Sequence, residues 1–121
     1  MNTNHFKQRL LKKEQELIAD IARAENEARA GGEAEVRDPI DDATTAQSVS
    51  EALQEGALAS ATLVRVQDAL RRIEEGTYGK CLDCSREIEP ARLEAIPWAE
   101  YCLEDQEKRD RANQVGGGAT L

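Results

Sequence analysis

The segment YGKCLDCSREIEPARLEAIPWAEYCLED, residues 78–105, holds all three cysteines of the 121-residue chain. Cys81 and Cys84 form a C-x2-C pair. Seventeen residues intervene before Cys102, and Asp105 stands where a fourth cysteine would complete a second pair. Two C-x2-C pairs at about this spacing are a strong zinc signal, because each turn brings two thiolates onto one ion and the pairs close a tetrahedron. Carboxylate is an accepted zinc ligand, so Cys81, Cys84, Cys102 and Asp105 are a candidate Cys3Asp site for one zinc ion. Losing a soft ligand would make it weaker and more exchangeable than a four-thiolate site. If Cys102 and Asp105 lie on a helix, their three-residue separation puts them on one face. Two other readings stay open. The cysteines could pack as small apolar residues without metal, or Cys81 and Cys84 could act as a redox pair with Cys102 nearby.

Upstream of this finger the pattern is helical. Phe6, Leu10, Leu17, Ile21, Ala24 and Ala28 recur at three- and four-residue spacings, and Gly31-Gly32 supplies a stop. A second helical stretch runs from about Pro39 to Glu75 and is closed by Gly76. Its apolar positions are read as Ala46, Val49, Leu53, Ala57, Leu63, Val64, Leu70 and Ile73. Gly56 costs about 1 kcal/mol relative to Ala in an exposed helix, and a small residue there suits close helix contact. Two long helices and a short turn predict an antiparallel coiled-coil hairpin, its arms roughly 40–50 Å long. Asp38 is a good N-cap, Pro39 suits the first helical position, and Asp41 resembles the acidic member of a capping box. The expected division is a hairpin over 1–76 with its tip at about 31–43, a finger and C-terminal helix over 77–113, and a disordered tail over 114–121. A helical pattern resumes from about Trp98 to Asn113. The fold class is mainly α. His5, the only histidine, lies too far from the finger to be expected as a ligand.

Charge narrows the function. The chain carries 16 basic and 24 acidic side chains, a formal net charge of −8. Residues 31–60 hold one basic and seven acidic side chains, the most acidic stretch of the chain. Only four aromatics are present, Phe6, Tyr78, Trp98 and Tyr101, too few for a wide aromatic core. No run approaches the ~18 apolar residues of a membrane span, and the N-terminus lacks the apolar stretch of a signal peptide. A cytoplasmic protein is expected. A DNA-coating role draws its affinity from Lys and Arg on phosphates, and neither the chain nor the finger offers a positive face.

Together the finger, the coiled-coil hairpin and the tip Asp38-Pro39-Ile40-Asp41-Asp42-Ala43 resemble the DksA/TraR family of bacterial RNA polymerase regulators. The resemblance covers roughly residues 35–112. It implies a globular zinc-finger base bearing a coiled coil that enters the polymerase secondary channel. The tip then lies near the active centre and alters promoter-complex stability and initiation, with no catalytic turnover. Carried over, the tip residues are Asp38, Asp41 and Ala43, and the metal positions are Cys81, Cys84 and Cys102 with Asp105 in fourth place. The protein would act as a monomer. Ser85 stands where glycine is more usual. In the family, basic residues on the hairpin and base help bind the alarmone ppGpp. Arg65 matches one of them, but Ile96 and Gln106 replace an expected Arg and Lys, which implies weakened or absent ppGpp synergy. The tip acids also leave a Gre-like transcript-cleavage role as an alternative, and the cysteines leave a thiol- or zinc-responsive regulator.

Overall fold

The structure, a computed structural model, describes residues 2–33 and 39–119, with side chains described for 2–30 and 46–114. Its elements are α1 (Thr3–Glu33), α2 (Pro39–Glu75), a short α3 (Pro90–Ala95) and α4 (Leu103–Ala119). Among the described residues the only β pairing is an isolated antiparallel bridge between Lys80 and Glu87, and no helix is long and apolar enough to cross a membrane.

Contacts divide the chain into two compact units, one of residues 11–64 and the other of residues 1–10 with 65–121. These units divide the chain after residues 10 and 64. The first turns of α1 and the last third of α2 belong with the finger, because their apolar side chains pack there.

In the unit of residues 11–64, α1 buries Leu17 and Ala24, while α2 buries Ala52 and Ala59. Val49, Gly56 and Leu63 are half-buried on the same α2 stripe. These positions alternate at three and four residues, the 3.5-residue repeat of a coiled-coil seam. A Cβ added at Gly56 would come 3.3 Å from the Ala24 Cβ, so glycine lets the two backbones close up. This seam corrects the sequence reading of α2. Leu53 and Val64 are 60% and 57% exposed, Ala46 and Ala57 are also exposed, and Ala52, Ala59 and Val66 are buried instead. A narrow seam selects side chains that permit close approach, so alanine wins over the adjacent leucine.

In the other unit, Leu10, Val66, Ile88 and Leu93 are fully buried, each worth about 1.5–3 kcal/mol. Phe6 packs on Tyr78 with ring centroids 5.6 Å apart. The Tyr78 hydroxyl donates to the Pro97 carbonyl at 2.8 Å, which ties the start of the finger to its second proline. The end of α2 is a Schellman motif. The Thr77 N–H donates to the Arg72 carbonyl (2.9 Å), the Gly76 N–H donates to Ile73 (3.2 Å), and Gly76 takes a φ of 78°.

Three helix ends differ from expectation. α1 continues through Gly31-Gly32 to Glu33, and α4 runs to Ala119 through residues expected to be a disordered tail. Extending an existing helix adds one hydrogen bond per residue, which offsets the ~1 kcal/mol that each glycine costs. α4 also starts at Leu103, not near Trp98, because Pro97 and the turn after it leave the chain non-helical until Cys102.

Candidate metal centre and adjoining cavity

The finger is built from a tight hairpin. The Cys81 N–H donates to the Arg86 carbonyl (2.8 Å) and the Ile88 N–H donates to that of Gly79 (2.8 Å), closing the loop that carries Cys81 and Cys84. The Ser85 N–H donates to the Cys81 carbonyl (3.0 Å), and Ser85 takes a φ of 63°, the left-handed region that favours glycine. Cys102 comes from the other side as the residue before α4. Its carbonyl accepts the first helical N–H, from Gln106, at 2.9 Å. Asp105 follows in the first turn, where a carboxylate faces the positive helix end. Cys102 is thus a cap and not a helical residue, yet the two side chains still converge.

Convergence is complete for the four expected ligands. One donor atom from each of Cys81, Cys84, Cys102 and Asp105 lies within 4.8 Å of every other. The Cys81 thiol donates to Asp105 Oδ2 at 3.0 Å, the Cys102 thiol donates to the same oxygen at 3.3 Å, and the Cys84 and Cys102 sulfurs are 3.9 Å apart. A tetrahedron with Zn–S near 2.3 Å and Zn–O near 2.0 Å has edges of roughly 3.5–3.8 Å, so the donor set fits the ion. Cys81, Cys102 and Asp105 are buried. Thiol hydrogen bonds from Cys81, Cys84 and Cys102 hold the Asp105 carboxyl down at about 2, so it stays anionic. At Cys102 the Asp105 backbone N–H favours the thiolate, but burial and hydrogen bonds with Asp105, Cys84 and Cys81 push the thiol up to about 11.

Two supports had no sequence signal. Arg109 on α4 grips Asp83, in the C-x2-C loop, through two bonds of 2.7 and 2.8 Å, and its guanidinium lies 4.1 Å over the Tyr101 ring. Asp83 is thereby held below the usual carboxylate range. Arg86 is raised by its hydrogen bond to Cys84 and reaches Glu104 at 3.5 Å, placing a cation beside a candidate sulfur ligand. Residues 26 apart announce no pairing in sequence. The His5 ring lies 3.1 Å from a Glu94 carboxylate oxygen.

Beside the finger, a cavity of about 670 Å³ brings together Arg65, Ile96 and Gln106, the three positions singled out for ppGpp. Arg65 is already paired with Glu100 at 3.3 Å. Of the expected tip residues, Asp38 lies outside the described residues. Asp41 and Ala43 fall within α2, but their side chains are outside what is described.

A mainly α chain with a paired-helix unit and a finger on which three cysteines and Asp105 converge is a zinc-finger protein of the coiled-coil type. Residues 76–111 match the family described as the prokaryotic dksA/traR C4-type zinc finger. The RNA polymerase-binding transcription factor DksA of Caulobacter vibrioides is 43% identical over 51 residues, 42% of this chain and 36% of that protein. General stress protein 16O of Bacillus subtilis is 31% identical over 113 residues, 86% of this chain and 66% of that protein. The structure of transcription factor DksA2 from Pseudomonas aeruginosa superposes with a TM-score of 0.76 at 27% identity, covering 92% of this chain and 84% of that one. The finger of this chain, residues 76–111, is of the DksA/TraR type. The first curated relatives are matched over only about a third of their own length, 35% and 36%.

Proposed function

We propose that this chain is a non-enzymatic transcription regulator of the bacterial cytoplasm that acts as a monomer by binding RNA polymerase. The observation that supports this best is the shared fold with DksA2 across nearly the whole chain. Relatives matched at the finger are described as RNA polymerase-binding factors. In this reading the acidic stretch of sequence between α1 and α2 enters the secondary channel. Asp38, Asp41 and Ala43 then work near the active centre on promoter-complex stability, by steric and electrostatic means.

The finger would hold one zinc ion through Cys81, Cys84, Cys102 and Asp105. That ion would supply a structural cross-link between the loop before α3 and the start of α4. Arg65 remains a candidate ppGpp contact, but Ile96 and Gln106 offer no cation and Glu100 already occupies Arg65. A neutral pair cannot attract polyphosphate as a basic pair would.

Co-purification with RNA polymerase and a promoter-complex lifetime assay test the reading. Asp41→Asn should bind polymerase within about twofold of the parent and lose most of the effect on lifetime. An unchanged effect on lifetime would remove the tip from the mechanism.

A further inference from the structure

The cavity beside the finger deserves a ligand other than the anion its position first suggests. Its floor is apolar and aromatic, made of Ile96, Trp98, Tyr101 and Leu103. Three guanidiniums line it, and each is engaged inside the protein. Arg65 pairs with Glu100, Arg109 pairs with Asp83, and Arg92 Nε donates to the Tyr101 carbonyl at 3.0 Å. Three carboxylates line it as well: Glu100, which pairs with Arg65, and Glu107 and Asp110, three residues apart on α4 and both exposed. Among the described residues no cation pairs with Glu107 or Asp110. Asp110 accepts only the Gln106 amide, at 3.0 Å, and the neighbouring Lys108 turns to Glu104 and Asp105. Among the described residues, Arg92 is thus the one cation of the lining without a carboxylate partner, against two carboxylates, Glu107 and Asp110, without a cation.

We propose that this cavity receives an arginine side chain of the partner protein, with the guanidinium between Glu107 and Asp110 and its stem along the aromatic floor. An arginine suits both halves of the site, since its planar guanidinium pairs with carboxylates and its methylene stem packs on apolar side chains such as Ile96 and Leu103. A phosphate would meet two unpaired carboxylates and a single cation, Arg92, that no carboxylate holds. Neither the acids nor the aromatic floor would define a site alone; both converge on one cavity large enough for a side chain. This inference rests on the polymerase reading for the identity of the partner, and on the cavity alone for the chemistry.

Trp98 is the chain's single tryptophan, so its fluorescence reports on the cavity. The full chain is titrated with a capped Gly-Arg-Gly peptide, with the same peptide carrying neutral citrulline, and with inorganic pyrophosphate. The arginine peptide should give a saturable change, the citrulline peptide should bind at least tenfold more weakly, and pyrophosphate should give none. Equal binding of the two peptides, saturation by pyrophosphate, or no arginine-dependent change overturns the proposal. The exposed pair Glu107→Gln with Asp110→Asn should keep the parent's circular dichroism and weaken the arginine peptide at least tenfold. On purified RNA polymerase the same pair should weaken binding at least threefold, and unchanged affinity there overturns the proposal. If the parent chain does not bind polymerase at all, the polymerase reading fails, and the peptide titration still decides the cavity.

Discussion

Ser85 sits at a φ of 63°, and its N–H closes the turn between the first two cysteines. A left-handed conformation costs a residue with a Cβ roughly 1–2 kcal/mol relative to glycine, less the extra freedom that glycine gains when unfolded. Ser85→Gly should therefore stabilise the protein by about 1 kcal/mol, read as a shift of the urea midpoint at constant slope. A lower midpoint would mean that the side chain contributes something the backbone does not reveal. Tyr78 makes the second case. Burial is the largest influence on its phenol and raises it to about 12, against Arg72 and Arg9, which pull down, with Glu94 adding to the rise. The raised value means that the fold favours the neutral form. This contribution is fully present below about pH 10 and is lost as pH rises through about 12. Stability should fall by about 2 kcal/mol across that window, and this component should be missing in Tyr78→Phe. At neutral pH Tyr78→Phe should cost about 1–2 kcal/mol, because the Pro97 carbonyl loses its donor. Equal alkaline profiles for the two proteins would show that another group carries the transition.

At the scale of elements, the ends of α2 were legible and its buried face was not. Pro39 and Gly76 mark both limits because proline and glycine act through the backbone, whatever packs around them. The seam depends on the distance between helices, which no local pattern states. Leu53 looks like a core residue by hydropathy, yet Ala52 is 2% exposed where Leu53 is 60% exposed. Two substitutions separate these registers. Leu53→Ala should change stability by less than about 0.5 kcal/mol, whereas Ala52→Leu should cost about 1–3 kcal/mol by overpacking a seam closed to the width of Gly56 and Ala24. Thermal melts of both variants decide, and the reverse order would restore the leucine register. The finger shows the opposite balance. Its four converging donors, Cys81, Cys84, Cys102 and Asp105, were readable because metal chemistry fixes residue type and spacing together. Arg109 on Asp83 and Tyr101 was not, because an ion pair across 26 residues leaves no periodic trace.

At the scale of the whole molecule, α1 and α2 each run without a break through both compact units, while the finger lies wholly within one. A zinc ion at Cys81, Cys84, Cys102 and Asp105 should therefore stabilise the unit that contains the finger, with both long helices passing through it. Asp105→Cys should hold one zinc per chain against a chelator that strips the parent, measured by metal analysis after dialysis, and equal retention by both would deny Asp105 a place among the ligands.

The response to ppGpp belongs to this scale too, because it depends on cations delivered by three separate segments to one cavity. Arg65 comes from α2, Ile96 from the turn after α3, and Gln106 from α4. With Glu100 on Arg65 and no charge at the other two positions, the parent should inhibit a responsive promoter to nearly the same extent with and without ppGpp. Restoring cations at both neutral positions, Ile96→Arg with Gln106→Lys, should create a synergy that either single change gives only weakly. Two charges facing one polyphosphate reinforce each other where one is screened by Glu107 and Asp110. Full synergy in the parent would show that Arg65 leaves Glu100 for the nucleotide, and that the cavity's resting ion pairs do not set its preference.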